Sequence, residues 1–183
     1  KKKPYLETDK CFPIYKYGKS KFLGEENIIK YNYERFIILR TSWLYSSYSI
    51  NFLNTIIDKI NENKNFSLVR DLRSNPTSVN NLVKFINIII KNSNKFQNKK
   101  ILDLRDSGNS ISPYDFAKFV LSRMQNNKKL KTNLIPVLNS EYKSNVKRPL
   151  YSSLNINNIM KITNQKPEHW KVEVSKILDI KGL

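Results

Sequence analysis

The chain has 183 residues, 39% apolar and 26% charged, with 33 Lys and Arg against 15 Asp and Glu and a formal net charge of +18. That length buries one good core, or one domain and part of another. No apolar run approaches the ~18 residues of a membrane span, and Lys1-Lys2-Lys3 leads into Pro4-Tyr5-Leu6-Glu7, not into the apolar segment of a secretory leader.

A single cysteine, Cys11, excludes an internal disulfide and suits a reducing cytoplasm. Together with a single histidine, His169, it cannot build a zinc cluster, and no Gly-x-Ser-x-Gly elbow supports a serine triad. The charge invites a nucleic-acid partner. Lys, however, is spread along the whole chain, and Arg, the residue of bidentate base and phosphate contacts, is much rarer. Heavy use of Lys, Asn and Ile with little Gly and Ala reads as an A+T-rich coding sequence. Basic charge alone gives only non-specific attraction, so neither a specific nucleic-acid partner nor a membrane is expected.

Residues 1–12 read as a loop. From about Pro13 to Tyr33 the pattern is helical, with Tyr17, Lys21, Gly24 and Ile28 along one stripe. Tyr17 and Lys21 lie one turn apart on one face. An ammonium beside a phenol stabilises the phenolate, which makes a proton donor for carbonyl reduction near neutral pH. The Tyr-x-x-x-Lys spacing also occurs at Tyr15/Lys19 and Tyr114/Lys118, so spacing alone leaves a surface tyrosine on a basic helix open. Gly18, Ser20 and Gly24-Glu25 around the second match single it out. A glycine inside a helix costs about 1 kcal/mol relative to Ala, so Gly24 is expected to have a packing reason.

Phe36-Ile37-Ile38-Leu39-Arg40 is a continuous apolar run ending in a charge, which suits a buried parallel strand. Thr41-Ser42-Trp43 follow at its carboxyl end, where open α/β sheets bind ligands. Trp43 serves either core packing or a ligand there. Asn51 to Ile60 reads as a helix with Phe52, Ile56, Ile57 and Ile60 inward, and Phe66 to Val69 as a short strand. Asp71 to Ser78 is a turn-rich loop, and Thr77 or Ser78 caps a helix from about Val79 to Lys91. Asn92 to Lys100 is a polar connector. Ile101 to Leu104 is a strand, followed by a turn at Ser107-Gly108. Ser112 then caps a helix that has Pro113 at its first position and runs to about Gln125. After Pro136-Val137 the chain reads as loop through Arg148-Pro149. Two short helices close it, near Ile156–Ile162 and His169–Leu178. Alternating strands and helices give an α/β fold.

Several segments stand one after another along the chain: Pro4-Tyr5-x-Glu7-x-Asp9, Pro13-x-x-x-Tyr17-Gly18-x-Ser20-Lys21-x-x-Gly24-Glu25, Arg40-Thr41-Ser42-Trp43-Leu44-Tyr45, Asn51-Phe52, Asp71 with Pro76-Thr77, Ser107-Gly108 with Tyr114-Asp115-Phe116-Ala117, Arg148-Pro149 and Trp170. The ordered set resembles the dTDP-4-dehydrorhamnose reductases, which are extended short-chain dehydrogenases/reductases. The resemblance implies the C-terminal part of such an enzyme: the end of a Rossmann-type parallel sheet plus a small α/β substrate-binding domain. Residues 1–48 would be the remnant of the dinucleotide-binding domain. Residues 49–183 would be the substrate-binding domain, with some segments returning to the cofactor domain.

It also implies a reaction. NADPH or NADH would reduce the C4 carbonyl of a dTDP-4-dehydro sugar to give dTDP-L-rhamnose. Tyr17 would donate the proton, and Lys21 would support it and hold the nicotinamide ribose. Trp43 would lie against the deoxysugar, with Asn51 and Arg148 as candidates for the diphosphate. Arg148 reads equally well as a surface charge. The family's Gly-x-x-Gly-x-x-Gly pyrophosphate loop has no counterpart among Gly18, Gly24, Gly108 and Gly182, and the family's third catalytic hydroxyl would precede residue 1. A non-catalytic nucleotide-sugar-binding or regulatory module of the same fold is the alternative. The Gln and Gly of the family's Asp-Gln-x-Gly-x-Pro-Thr loop are lost in Asp71–Thr77. Asn80 and Ile180 stand where some members place magnesium ligands, which argues against a magnesium-bridged dimer.

Overall fold

The computed structural model describes residues 3–31, 36–97, 101–125, 130–144 and 148–183. Helix α1 spans Lys16–Lys30 and is followed by strands β1 (Ile38–Arg40) and β2 (Leu44–Tyr45). Then come α2 (Phe52–Asn61), β3 (Phe66–Val69), β4 (Thr77–Ser78), α3 (Val79–Lys91) and a short 3₁₀ turn at Ser93–Phe96. The chain continues through β5 (Ile101–Asp103), α4 (Pro113–Gln125), β6 (Leu134–Val137), α5 (Asn157–Thr163) and α6 (Trp170–Ile180). The strands pair in parallel as β1–β5, β2–β4 and β3–β6.

The helix starts follow the capping chemistry of the sequence. Asn51 Oδ1 accepts from the Asn54 amide at the head of α2. Ser78 Oγ accepts from the Asn81 amide at the head of α3. Ser112 and Asp115 exchange two hydrogen bonds at the head of α4, a reciprocal capping box. The tail of the apparent first helix, at Tyr33, lies outside the described residues.

The main core gathers Leu53, Ile56, Ile57 and Ile60 of α2, Phe116, Val120 and Met124 of α4, and Trp170, Val174 and Ile177 of α6. Each such side chain contributes about 1.5–3 kcal/mol by leaving water. Leu53 is fully buried whereas Phe52 is only partly so, which rotates the inward face of α2 from the expected one. A second cluster of Phe85, Leu104, Ile156 and Ile159 receives Leu39 from β1. Arg40, pointing to the opposite side by strand alternation, pairs with Glu25 of α1. The β1–β5 ladder thus lies between α1 on one side and α3 with α5 on the other.

Two expectations need correction, and one strand is new. Ile38, Leu39 and Arg40 are all half-buried, so β1 is a parallel strand without full burial. Leu134–Val137 is a strand, although it holds a proline; Pro136 is exposed opposite Leu68, a place where a missing amide is tolerated. The polar connector hides one anchor, Phe96, which is buried.

Candidate functional site

Helix α1 carries the tyrosine–lysine pair. It begins after Pro13-Ile14-Tyr15, and a Cβ on Gly18 would sit 3.3 Å from Cβ of Pro13. The small residue after Tyr17 therefore lets the preceding chain fold back on the first turn. Ser20 Oγ donates to the Tyr17 carbonyl at 2.8 Å. The Lys21 ammonium lies 5.6 Å from the centroid of the Tyr17 ring, within reach of its π face. Tyr17 is 72% exposed, and α1 has no buried residue. A Cβ on Gly24 would meet nothing within 4 Å, so the expected packing reason for that glycine is absent among the described residues.

The tie between α1 and the sheet is polar. Arg40 Nε donates to Glu25 Oε1 at 3.0 Å and Nη2 to Oε2 at 2.6 Å, with side-chain exposures of 18% and 20%. Arg40 Nη2 also reaches Cys11 Sγ at 3.4 Å. The hydrogen bond to Glu25 outweighs burial and raises the affinity of the guanidinium for its proton. Glu25 is four residues past Lys21 and eight past Tyr17, so one helix stripe carries the anchor and the tyrosine–lysine pair. A cleft of about 650 Å³ opens beside this tie, between Cys11, Phe22, Ile29 and Ile101.

Asp103, the register partner of Arg40, is 1% exposed, and among the described residues neither carboxylate oxygen accepts a hydrogen bond. Its backbone amide donates to Glu7 Oε1 at 3.2 Å. Burial, reinforced by the nearby Glu7, pushes its carboxyl up to about 7 despite the attraction of Arg40. Asp106 is also buried, and burial raises it to about 6. It accepts from Tyr45 Oη at 2.6 Å, the Ser78 amide at 2.9 Å and Asn81 Nδ2 at 2.8 Å, knitting β2 to the start of α3.

Trp43 sits between β1 and β2 in the left-handed region, at φ 51°, where a residue with a Cβ is uncommon. Its ring lies 5.2 Å from Phe52 of α2 and 5.2 Å from Phe116 of α4, centroid to centroid. Phe52 also lines a small cavity of about 60 Å³ with Leu68, Leu72, Tyr142 and Arg148. Trp43 and Arg148 therefore share Phe52 as a neighbour. Asn51 is different: its Oδ1 caps α2 while its Nδ2 donates to the carbonyls of Ser46, Tyr48 and Ser49. The carboxamide holds the turn ahead of α2 together, so a diphosphate there would compete with these carbonyls for its amide protons. No hydrogen bond or ring contact among the described residues joins Tyr17 or Lys21 to Trp43 or Arg148.

Residue type alone does not announce Phe52 and Tyr142 on the cavity wall with Arg148, nor the Glu25–Arg40 tie. The Glu25 signal was available in its spacing from Lys21. Among the described residues no group of three or more His, Cys, Asp and Glu can hold a metal ion, and no helix is long and apolar enough to cross a membrane. Asn80 Nδ2 donates to Glu173, and Ile180 is exposed.

A family model, the RmlD substrate binding domain, matches residues 1–182. The spore coat polysaccharide biosynthesis protein SpsK of Bacillus subtilis is 29% identical over 175 residues, covering 96% of this chain and 58% of that protein. The dTDP-4-dehydrorhamnose reductase of Sinorhizobium fredii is 28% identical over 178 residues, covering 96% of this chain and 60% of that enzyme. The crystal structure of dTDP-4-dehydrorhamnose reductase from Bacillus anthracis in complex with NADP superposes with a TM-score of 0.84 at 29% identity, covering 97% of this chain and 59% of that one. The chain thus spans about three fifths of the length of these relatives. With a match from end to end and an α/β fold of parallel strand pairs, the chain belongs to the RmlD substrate binding domain family.

Proposed function

We propose that this chain provides the proton-donating helix and the sugar-nucleotide pocket of an NADP-dependent dTDP-4-dehydrorhamnose reductase. Residues 1–48 contribute the edge of the cofactor domain and residues 49–183 the substrate-binding domain. The observation that carries this reading is the pairing of Tyr17 and Lys21 on the exposed stripe of α1, in a chain matched over residues 1–182 to that family.

The cofactor's two ends fit this chain differently. An exposed phenol and an ammonium one turn apart suit the ribose hydroxyls and the reacting carbonyl. None of the four glycines builds a backbone cradle for a pyrophosphate: Gly108 faces His169, and Gly24 stands in the open. When bound, NADPH or NADH supplies the hydride to C4. Tyr17 gives its hydroxyl proton to the oxygen of that carbonyl as the oxygen gains charge. Lys21 stabilises the phenolate left behind and, with its remaining donors, holds ribose hydroxyls. Trp43 lays the open part of its ring against the apolar face of the deoxysugar. Arg148, on the wall of the Phe52 cavity, pairs with the diphosphate.

Calorimetric titration of the chain with dTDP-L-rhamnose tests the binding part. Saturable binding that weakens in Arg148→Ala is expected. Failure of dTDP-L-rhamnose to bind, with the chain folded, would overturn it.

A further inference from the structure

Trp43 is held in its left-handed turn by one neighbour acting twice. The Thr77 amide donates to the Trp43 carbonyl at 3.1 Å, and the Thr77 hydroxyl donates to the Ser42 carbonyl at 2.6 Å. Ser42 Oγ answers by donating to the Asn75 carbonyl at 2.8 Å. Residues 42–43 are thereby stapled to residues 75–77 by three hydrogen bonds, just ahead of the β2–β4 ladder, which pairs Leu44 with Thr77 and Tyr45 with Ser78. The far side of the staple is fixed in turn. Asn75 is fully buried; its Nδ2 donates to the carbonyls of Gly108 and Asn109, and its Oδ1 accepts from Ser153 Oγ.

The hydroxyl of Thr77 is not needed for the ladder. It acts on the residue before Trp43, where the chain leaves extended geometry. A strained backbone conformation persists only where its surroundings over-determine it, and such places cluster at ligand-binding positions. From this turn the indole packs against both Phe52 and Phe116, with ring centroids 5.2 Å from each. Phe52, one of those two neighbours, also lines the cavity that Arg148 borders.

We propose that Thr77 is a positioning residue: its hydroxyl holds the Ser42–Trp43 turn left-handed and so sets the angle of the indole that receives the sugar of a nucleoside-diphosphate sugar. The proposal rests on the sugar-facing reading of Trp43. It assigns Thr77 no contact with the ligand, so its effect is confined to the sugar.

The test compares dTDP-L-rhamnose with dTDP on the full chain, because the ratio of the two affinities isolates the sugar. Thr77→Val removes the hydroxyl and keeps the shape and the amide. It is expected to lower the preference for the sugar-bearing ligand about five- to tenfold, as for one lost hydrogen bond, with dTDP affinity unchanged. The indole signal in the near-ultraviolet circular dichroism should fall in parallel. Thr77→Ser, which restores the hydroxyl, should restore both. Trp43→Ala should lose the preference, and adding Thr77→Val to it should cost nothing more. If Thr77→Val fails to fold, Ser42→Ala, which breaks the return hydrogen bond of the staple, should give a smaller loss of the same kind. Native preference and an unchanged indole signal in Thr77→Val, or in Ser42→Ala where that replaces it, would overturn the positioning role. Native preference in Trp43→Ala would instead overturn the sugar-facing reading beneath it.

Discussion

Arg40 of β1 grips Glu25 of α1 through two parallel hydrogen bonds, and this grip is what seats the helix that carries Tyr17 and Lys21. The helix has no buried residue to share the task. Its exposed apolar side chains, Leu23, Ile28 and Ile29 among them, add little hold among the described residues.

Arg40→Gln or Glu25→Gln should therefore loosen α1 selectively. A half-buried bidentate pair lies between exposed and fully buried ones, so a cost of about 1–2 kcal/mol is expected. Amide hydrogen exchange reads it directly: the amides of α1 should lose protection while those of α2 and α4 keep theirs. Uniform loss across the chain would mean that the pair stabilises the whole fold and not the seat of the helix.

Asp103 predicts a pH dependence. Its carboxyl titrates at about 7 in the fold against 3.8 ordinarily, with burial as the main cause and Glu7 the next. Between those values the folded chain keeps a proton that the unfolded chain has released. Stability contributed by the neutral form is complete below about pH 4 and is lost as pH rises through about 7. Asp103→Asn mimics the neutral acid, so it should leave stability unchanged at pH 4 and raise it at pH 8, by at most about 4 kcal/mol. Denaturant titrations at the two pH values check the sign. A variant less stable than the native chain at pH 8 would show that the ionised carboxylate is held by a partner.

Gly108 predicts a steric limit. It adopts φ 112°, and a Cβ there would stand 2.5 Å from Nε2 of His169 and 3.1 Å from Cδ1 of Trp170. Gly108→Ala would combine an unfavourable dihedral with a clash against the start of α6, a cost of about 1–3 kcal/mol. The thermal midpoint should fall by several degrees, and substitution of His169 by Gly should return part of the loss.

Much of this was legible in the sequence because it is local. Ser112 with Pro113, Ser78 before Val79 and Asn51 before Phe52 announce helix starts through capping chemistry that needs no tertiary contact. The placement of Tyr17 and Lys21 one turn apart on a helix was legible through their spacing, and the parallel pairing of β1 through its unbroken apolar run. What stayed hidden depends on partners. The strand Leu134–Val137 needs β3 as its partner, because Pro136 is tolerated only where its missing amide does no harm. The hydrogen bonds from Asn51 to the carbonyls of Ser46, Tyr48 and Ser49 depend on how the turn folds and have no signature in its residue type. The left-handed turn at Trp43 has no signature in residue type, since tryptophan carries a Cβ and glycine is the usual occupant. It depends on hydrogen bonds from Thr77, distant in sequence.

The central claim is that Tyr17 delivers the proton in reduction of a 4-keto sugar nucleotide. The most direct measurement is turnover of the dTDP-4-dehydro sugar with NADPH, by the chain joined behind the dinucleotide-binding half of a relative, with and without Tyr17→Phe. Phenylalanine keeps the ring and removes only the hydroxyl. The native chain should turn over, and kcat should fall by a factor of about 10²–10⁴ in the variant while dTDP-L-rhamnose binding stays within about twofold. No turnover by the native chain, or undiminished turnover by Tyr17→Phe, would contradict the account.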